Sequence, residues 1–226
     1  MTGPKIAYQH FCPAARALEV IGEKWSLLIV RDLLGGPRRF SDLRRSLASI
    51  TPKWLSLRLR ELEEAGVVAR EQAGRREVWY SLTPKGEALA PVLNDLVVWG
   101  VEHALRPPRP DESVHPGRAT DAFVTYLNRR RVRPAAPVTW VARFADGRAY
   151  TIRFDGERWS RERGESPADV VVETTPEAWV AFLTSDLDER RLWLAEVGAQ
   201  GTPDKLDELA QTLGRPASTA DRLPAA

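Results

Sequence analysis

The sequence predicts an α+β protein in two parts. The N-terminal part is mostly helical with one two-stranded hairpin, and the C-terminal part has an antiparallel sheet covered by helices. Three observations predict this. Apolar residues recur at helical spacing from about Cys12 to Gly66, then switch to a two-residue period through Leu82. The stretch Arg106-Pro-Pro-Arg-Pro-Asp-Glu-Ser-Val-His-Pro116 carries four prolines, which neither continue a helix nor fill a sheet centre. Beyond Val138, alternating segments are separated by Asp146-Gly147 and Asp155-Gly156, both hairpin signals, and helical segments follow. The expected division is residues 1–105 as a first domain, 106–116 as a linker, 117–214 as a second domain and 215–226 as a disordered tail.

Each element has a local reason. Cys12-Pro13 opens a first helix with Ala17, Leu18 and Ile21 on one face, and Gly22 ends it. A second runs from about Glu23 to Leu34, with Trp25, Leu28, Ile29 and Leu33 on its buried side, until Gly35-Gly36-Pro37 stops it. Ser41 caps a third through about Leu47. The fourth is the best specified. Thr51 is its N-cap and Pro52 its first residue, with Ile50 and Leu55 spaced as a hydrophobic staple. Leu55, Leu59 and Leu62 form its core stripe, and Gly66 supplies a left-handed closing residue.

That stripe leaves Lys53, Trp54, Leu57, Arg60 and Glu61 facing outward, with Ser56 on the flank. An exposed tryptophan and leucine need a cover. A base edge or thymine methyl in a major groove supplies one for Trp54, and a neighbouring helix supplies another. Val67 to Ala69 and Val78 to Leu82 then make two strands around the polar turn Glu71-Gln-Ala-Gly-Arg-Arg76. Arg75 and Arg76 at a protruding tip can reach phosphates or a narrow minor groove. Helices followed by such a two-stranded wing form a winged helix, a DNA-reading architecture. Charge agrees: residues 31–85 hold 12 Lys or Arg against seven Asp or Glu, an excess that attracts polyanions without proving that it binds them.

Thr83-Pro84 begins a last helix expected to reach Leu105. Leu89, Leu93, Leu96 and Gly100 make one stripe, and Val92 and Trp99 widen it beyond what a small domain covers. Pairing with the same helix of a second subunit covers it, giving a homodimer with two-fold symmetry.

These residues resemble the HxlR-type regulators, winged-helix proteins allied to the MarR family. The resemblance covers residues 8–104. It rests on Cys12-Pro13, Ala17-Leu18, Ile21-Gly22, Lys24-Trp25, Leu27-Leu28, Gly36-Pro37-Arg38-Arg39-Phe40, Asp42-Leu43, Ile50-Thr51-Pro52, Leu55-Ser56, Arg58-Leu59, Leu62 to Val68 and Tyr80 to Gly86. It implies a cytoplasmic homodimeric transcription regulator, a repressor or activator, on paired, pseudo-palindromic half-sites of double-stranded DNA about one turn apart. Carried over residue by residue, the contacts fall on Thr51, Lys53, Trp54, Ser56, Leu57 and Arg60. Arg38 and Arg39 touch phosphate, Arg58 touches backbone or orients a neighbour, and Arg75 and Arg76 serve as the wing. Leu57 departs from the family, where that place is often polar. Some HxlR-type proteins are redox switches built on a cysteine at the position of Cys12. That residue is the chain's single cysteine, so an intersubunit disulfide or a capped thiol are the available chemistries, against the plainer role of a small packed residue.

In the second half, residues 117–131 suit a short helix through Phe123, Val124 and Leu127. Strands follow with Val138, Trp140, Ala142 and Phe144, then Tyr150, Ile152 and Phe154, then Trp159, then Val170 and Val172. Thr175-Pro176 caps a helix with Trp179, Phe182 and Leu183, and Pro203 opens a final one with Leu206, Leu209 and Leu213. This succession resembles sterol carrier protein type 2-like domains, on Asp169 to Trp179 and the Gly198 to Gly201 turn, over about residues 120–214. The resemblance implies an apolar small-molecule ligand. Trp140, Phe144, Tyr150, Ile152, Trp159, Trp179, Phe182 and Trp193 are then either cavity walls or plain core.

Other classes receive less support. His10, His103 and His115 show no metal spacing, and there is no Gly-rich phosphate loop or Gly-x-Ser-x-Gly. No catalytic residue, metal or cofactor is therefore expected. No apolar run approaches the roughly 18 residues that span a bilayer, and Met1 to His10 lack a signal-peptide core, so a cytoplasmic protein with no membrane partner is expected. The alternatives are a carrier of lipids or other apolar molecules with DNA binding secondary, and a redox-responsive regulator built on Cys12.

Overall fold

Proline opens most helices of this protein, and glycine follows several of them. The computed structural model describes residues 8, 9, 11–73 and 77–214. The chain separates into two units, residues 1–93 and 94–226, a division that falls inside one helix and ahead of the proline-rich stretch. The expected wing tip (Gly74, Arg75, Arg76) and the expected tail 215–226 lie outside the described residues.

The first unit opens with α1 (Pro13–Ile21) and α2 (Ser26–Leu34). The start of α2 corrects the expectation of a helix from Glu23. Trp25 adopts φ 84, left-handed backbone that a bulky residue holds only against strain, so the helical run begins one residue later. A short strand β1 (Arg38–Arg39) leads into α3 (Phe40–Ser46). Here Arg39, rather than Ser41, stands at the cap, and the Asp42 carboxylate accepts its backbone N–H at 3.3 Å.

The fourth helix, α4 (Pro52–Glu64), matches its signals at both ends. Thr51 Oγ1 accepts the Trp54 N–H at 3.4 Å. Beyond the last turn, Val67 N–H donates to Leu62 O and Gly66 N–H to Glu63 O, with Gly66 at φ 68. The hairpin β2 (Val68–Ala73) and β3 (Glu77–Leu82) joins β1 in a sheet of order β1-β3-β2.

Helix α5 (Pro84–Glu87) and α6 (Ala90–His103) replace the single helix expected from Pro84 to Leu105. Pro91 explains the break, because it cannot donate to the Glu87 carbonyl and its ring would collide with it. The core of the unit gathers Ile29, Val30, Leu33, Leu43, Leu47, Ile50, Leu55, Leu59, Leu62, Val67, Val68 and Leu93. Each such fully buried aliphatic side chain stabilises the fold by roughly 1.5–3 kcal/mol.

The second unit contains α7 (Pro116–Arg129), strands β4 (Val138–Phe144), β5 (Ala149–Phe154), β6 (Trp159–Arg163) and β7 (Val170–Thr174), then α8 (Pro176–Thr184), α9 (Leu187–Glu196) and α10 (Pro203–Thr212). Gly147 and Gly156 occupy positive φ at the two expected turns. The sheet order is β6-β5-β4-β7, and β7 runs parallel to β4. The sheet is thus mixed, where a purely antiparallel one was expected. The connection from β6 to β7 must return to the opposite edge. Thr151 Oγ1 donates to Gly164 O at 2.9 Å and Asp169 Oδ2 accepts from Thr139 N–H at 2.8 Å, so the segment crosses β5 and β4.

Trp140, Phe144, Tyr150, Ile152, Trp159, Trp179 and Phe182 are buried in one core, with Trp193 packed against it. Their rings close on one another: Trp140 on Trp159 at 5.0 Å, Trp179 on Phe182 at 5.4 Å and Phe182 on Trp193 at 4.9 Å. Two indoles are also hydrogen-bonded, Trp159 to Val132 O at 2.7 Å and Trp179 to Thr120 Oγ1 at 2.9 Å.

Candidate nucleic-acid interface

Helix α4 has two unlike sides because its apolar residues repeat at three and four. Leu55, Leu59 and Leu62 are at most 2% exposed. Lys53, Trp54, Ser56 and Arg60 lie on the solvent side, and Trp54 keeps 48% of its surface. Thr51 is exposed at the cap, which leaves the first turn's end open to an approaching phosphate. Leu57 is half-buried, so it is less outward than its sequence position suggested.

Arg58 differs most from a DNA-facing residue. It is 8% exposed and forms ion pairs with Glu23 at 3.0 Å and Glu61 at 2.5 Å. Its guanidinium also lies 5.4 Å from the Trp54 ring centroid. Its burial and ion pairs set it apart from the exposed residues of α4. The positions 55, 58, 59 and 62 share a helical face, and that spacing was the signal for its burial. Arg60 is loosely placed, 3.8 Å from Glu64 on an exposed turn, a pair worth little.

The wing is fastened to the end of α4. Thr83 Oγ1 donates to Gly66 O at 2.7 Å and accepts Gly86 N–H at 3.2 Å, while Lys85 Nζ donates to Ala65 O at 2.7 Å. Gly86 is required here, because a Cβ would come within 2.2 Å of Val67 O. Thus Thr83-Pro84-Lys85-Gly86, at the close of the hairpin, ties off the last turn of the helix.

Arg38 and Arg39 are both exposed, on successive residues of β1, and strand alternation sends them to opposite faces. Arg39 donates to Glu77 Oε1 at 2.8 Å and lies 4.7 Å over Trp79. Sequence reasoning missed Glu77, Glu23 and Glu61 as partners. The first two lie 38 and 35 residues from their arginines, beyond any helical or strand repeat.

On α6, Val92, Leu96 and Trp99 are 48%, 48% and 56% exposed, at helical spacing. Cys12 is half-buried at the N-cap of α1 and makes no side-chain cap bond. Among the described residues there is no group of three or more His, Cys, Asp or Glu able to hold a metal, and no helix long and apolar enough to cross a membrane.

A family model described as HxlR-like helix-turn-helix matches residues 20–107. The HTH-type transcriptional regulator YvaP of Bacillus subtilis is 42% identical over 96 residues, which are 41% of this chain and 89% of that protein. YkvN of the same organism is 44% identical over 88 residues, 38% of this chain and 75% of its own. A solved structure of the redox regulator HypR in its oxidized form is 41% identical, covering 39% of this chain and 94% of that one, with a TM-score of 0.38.

Proposed function

The chain belongs to the HxlR-like helix-turn-helix family and is a transcriptional regulator of that type, and from this premise we propose that it reads a pseudo-palindromic operator as a homodimer. The observation that carries the reading is the two-sided α4, capped at both ends, with Lys53, Trp54, Ser56 and Arg60 outward over a sealed leucine stripe. In this reading α4 enters the major groove. Lys53 and Ser56 hydrogen-bond to base edges, while Trp54, held against Arg58, covers an apolar edge such as a thymine methyl. Arg38, Arg39 and the basic residues of the wing neutralise phosphates, which supply affinity but no sequence information.

The dimer follows from α6. Val92, Leu96 and Trp99 are too large and too closely spaced to be left bare on a helix, and the same face of a second copy buries them under two-fold symmetry. Two α4 helices then meet half-sites about one DNA turn apart. The second unit's aromatic residues pack on one another, and an apolar ligand there would have to part them.

A gel-shift on the upstream region of the protein's own operon, over a salt series, tests the proposal. A specific complex is expected. Lys53→Ala with Ser56→Ala should abolish specific binding while the dimer persists. The absence of any specific complex at low salt would overturn the reading. Leu96→Glu should yield a monomer in sedimentation, and an unchanged dimer would refute the role of α6.

A further inference from the structure

Arg39 is already occupied. Its Nη2 is 2.8 Å from Glu77 Oε1, and its guanidinium carbon lies 4.7 Å over the Trp79 ring. Register explains the arrangement: Arg39 stands opposite Trp79 across β1 and β3, and Glu77, two residues earlier on β3, shares the face of Trp79. The pair is open to solvent, at 45% and 50% side-chain exposure. Arg38, on the other face, forms no salt bridge with a carboxylate among the described residues.

Resting on the DNA-binding reading above, we infer that Glu77 is an intramolecular stand-in for a DNA phosphate at Arg39, and that it lowers the protein's affinity for duplex DNA. A carboxylate oxygen and a phosphate oxygen make the same charge-assisted bond to a guanidinium. The Trp79 ring, 4.7 Å from the guanidinium carbon, covers one side of Arg39, so both anions approach from the side left open. Binding is then an exchange. Arg39 releases Glu77 and takes a phosphate, and the carboxylate is left beside a polyanion. Because phosphate contacts carry no sequence information, the penalty falls equally on operator and random DNA. Glu77 therefore sets how long the regulator stays on DNA in general, and leaves the choice of sequence to α4.

The test uses the full chain as wild type, Glu77→Gln, Arg39→Gln and the double variant. Their binding to a random-sequence duplex is measured by fluorescence anisotropy across a salt series. Glu77→Gln should bind about two- to fivefold tighter near 0.1 M salt, the range expected for one exposed ion pair. Arg39→Gln should bind more weakly, with a log–log salt slope shallower by about 0.9. In the Arg39→Gln background the gain from Glu77→Gln should shrink, because only the repulsion between the carboxylate and the polyanion remains. All sites are exposed, and thermal melts confirm that the variants fold. An inert Glu77→Gln overturns the inference alone. So does an equal gain with and without Arg39, since that is bulk charge. A wild type without salt-dependent affinity for any duplex overturns the DNA-binding reading and this inference together.

Discussion

Three tryptophans of the first unit and three from the sheet-and-helix core of the second sit in opposite settings, while Trp99 on α6 stays exposed. In the first, Trp25, Trp54 and Trp79 sit at the rim, and each lies beside a cation: Lys24 at 5.4 Å, Arg58 at 5.4 Å and Arg39 at 4.7 Å. In the second, Trp140, Trp159 and Trp179 are at most 3% exposed and lie against other rings. A rim indole flanking a cation contributes modestly to the fold, about 0.5–1 kcal/mol at an exposed site, yet it orients that cation and presents an apolar edge. A core indole does the reverse. The contrast separates a surface shaped to meet something from an interior shaped to hold itself together.

The largest effect that could break this contrast is Trp179→Ala. It removes a stacked, hydrogen-bonded indole from the second core and should cost about 3–5 kcal/mol in denaturant unfolding; a loss below about 1 kcal/mol would erase the distinction. Trp54→Ala should leave stability within about 1 kcal/mol, while operator affinity falls about tenfold, as for a lost base-edge contact. Unchanged affinity would make Trp54 a packing residue. Thr51→Ala removes the cap of α4 and should cost about 1 kcal/mol, read as a lower melting temperature.

The smallest effect lies in the second unit's proline-rich stretch. Arg106 bonds Glu112, with Nη1 2.9 Å from Oε2, and Arg109 N–H donates to the same carboxylate at 2.8 Å. These bonds lower the Glu112 carboxyl from 4.5 to about 2. A depressed carboxylate contributes its tie above the unfolded value and loses it as pH falls through the folded one. The tie should therefore be complete above about pH 4.5 and weaken toward pH 2. A carboxyl carbon titrating near 4.5 by NMR would show that it does not form.

Much of the first unit was legible because its chemistry is local. Thr51, Pro52 and Gly66 each act within a few residues, so both ends of α4 could be read. The start of α2 could not, because no neighbour signals that Trp25 will take φ 84. In the second unit, period-two alternation named every strand but could not order them. The parallel pairing of β7 with β4 spans about 30 residues and depends on a crossing loop. The candidate site divides similarly. Its outward residues follow from helical phase, whereas the carboxylates that hold Arg39 and Arg58 come from distant segments.

The bonds from Thr83 and Lys85 to the carbonyls of Gly66 and Ala65, just past the end of α4, have a mechanical consequence. They make helix and hairpin a caliper of fixed opening. An operator with a different groove width cannot be met by swinging one jaw, since the hinge position is filled by Gly86 against Val67 O. New DNA preferences would then arise by exchanging side chains on the two jaws.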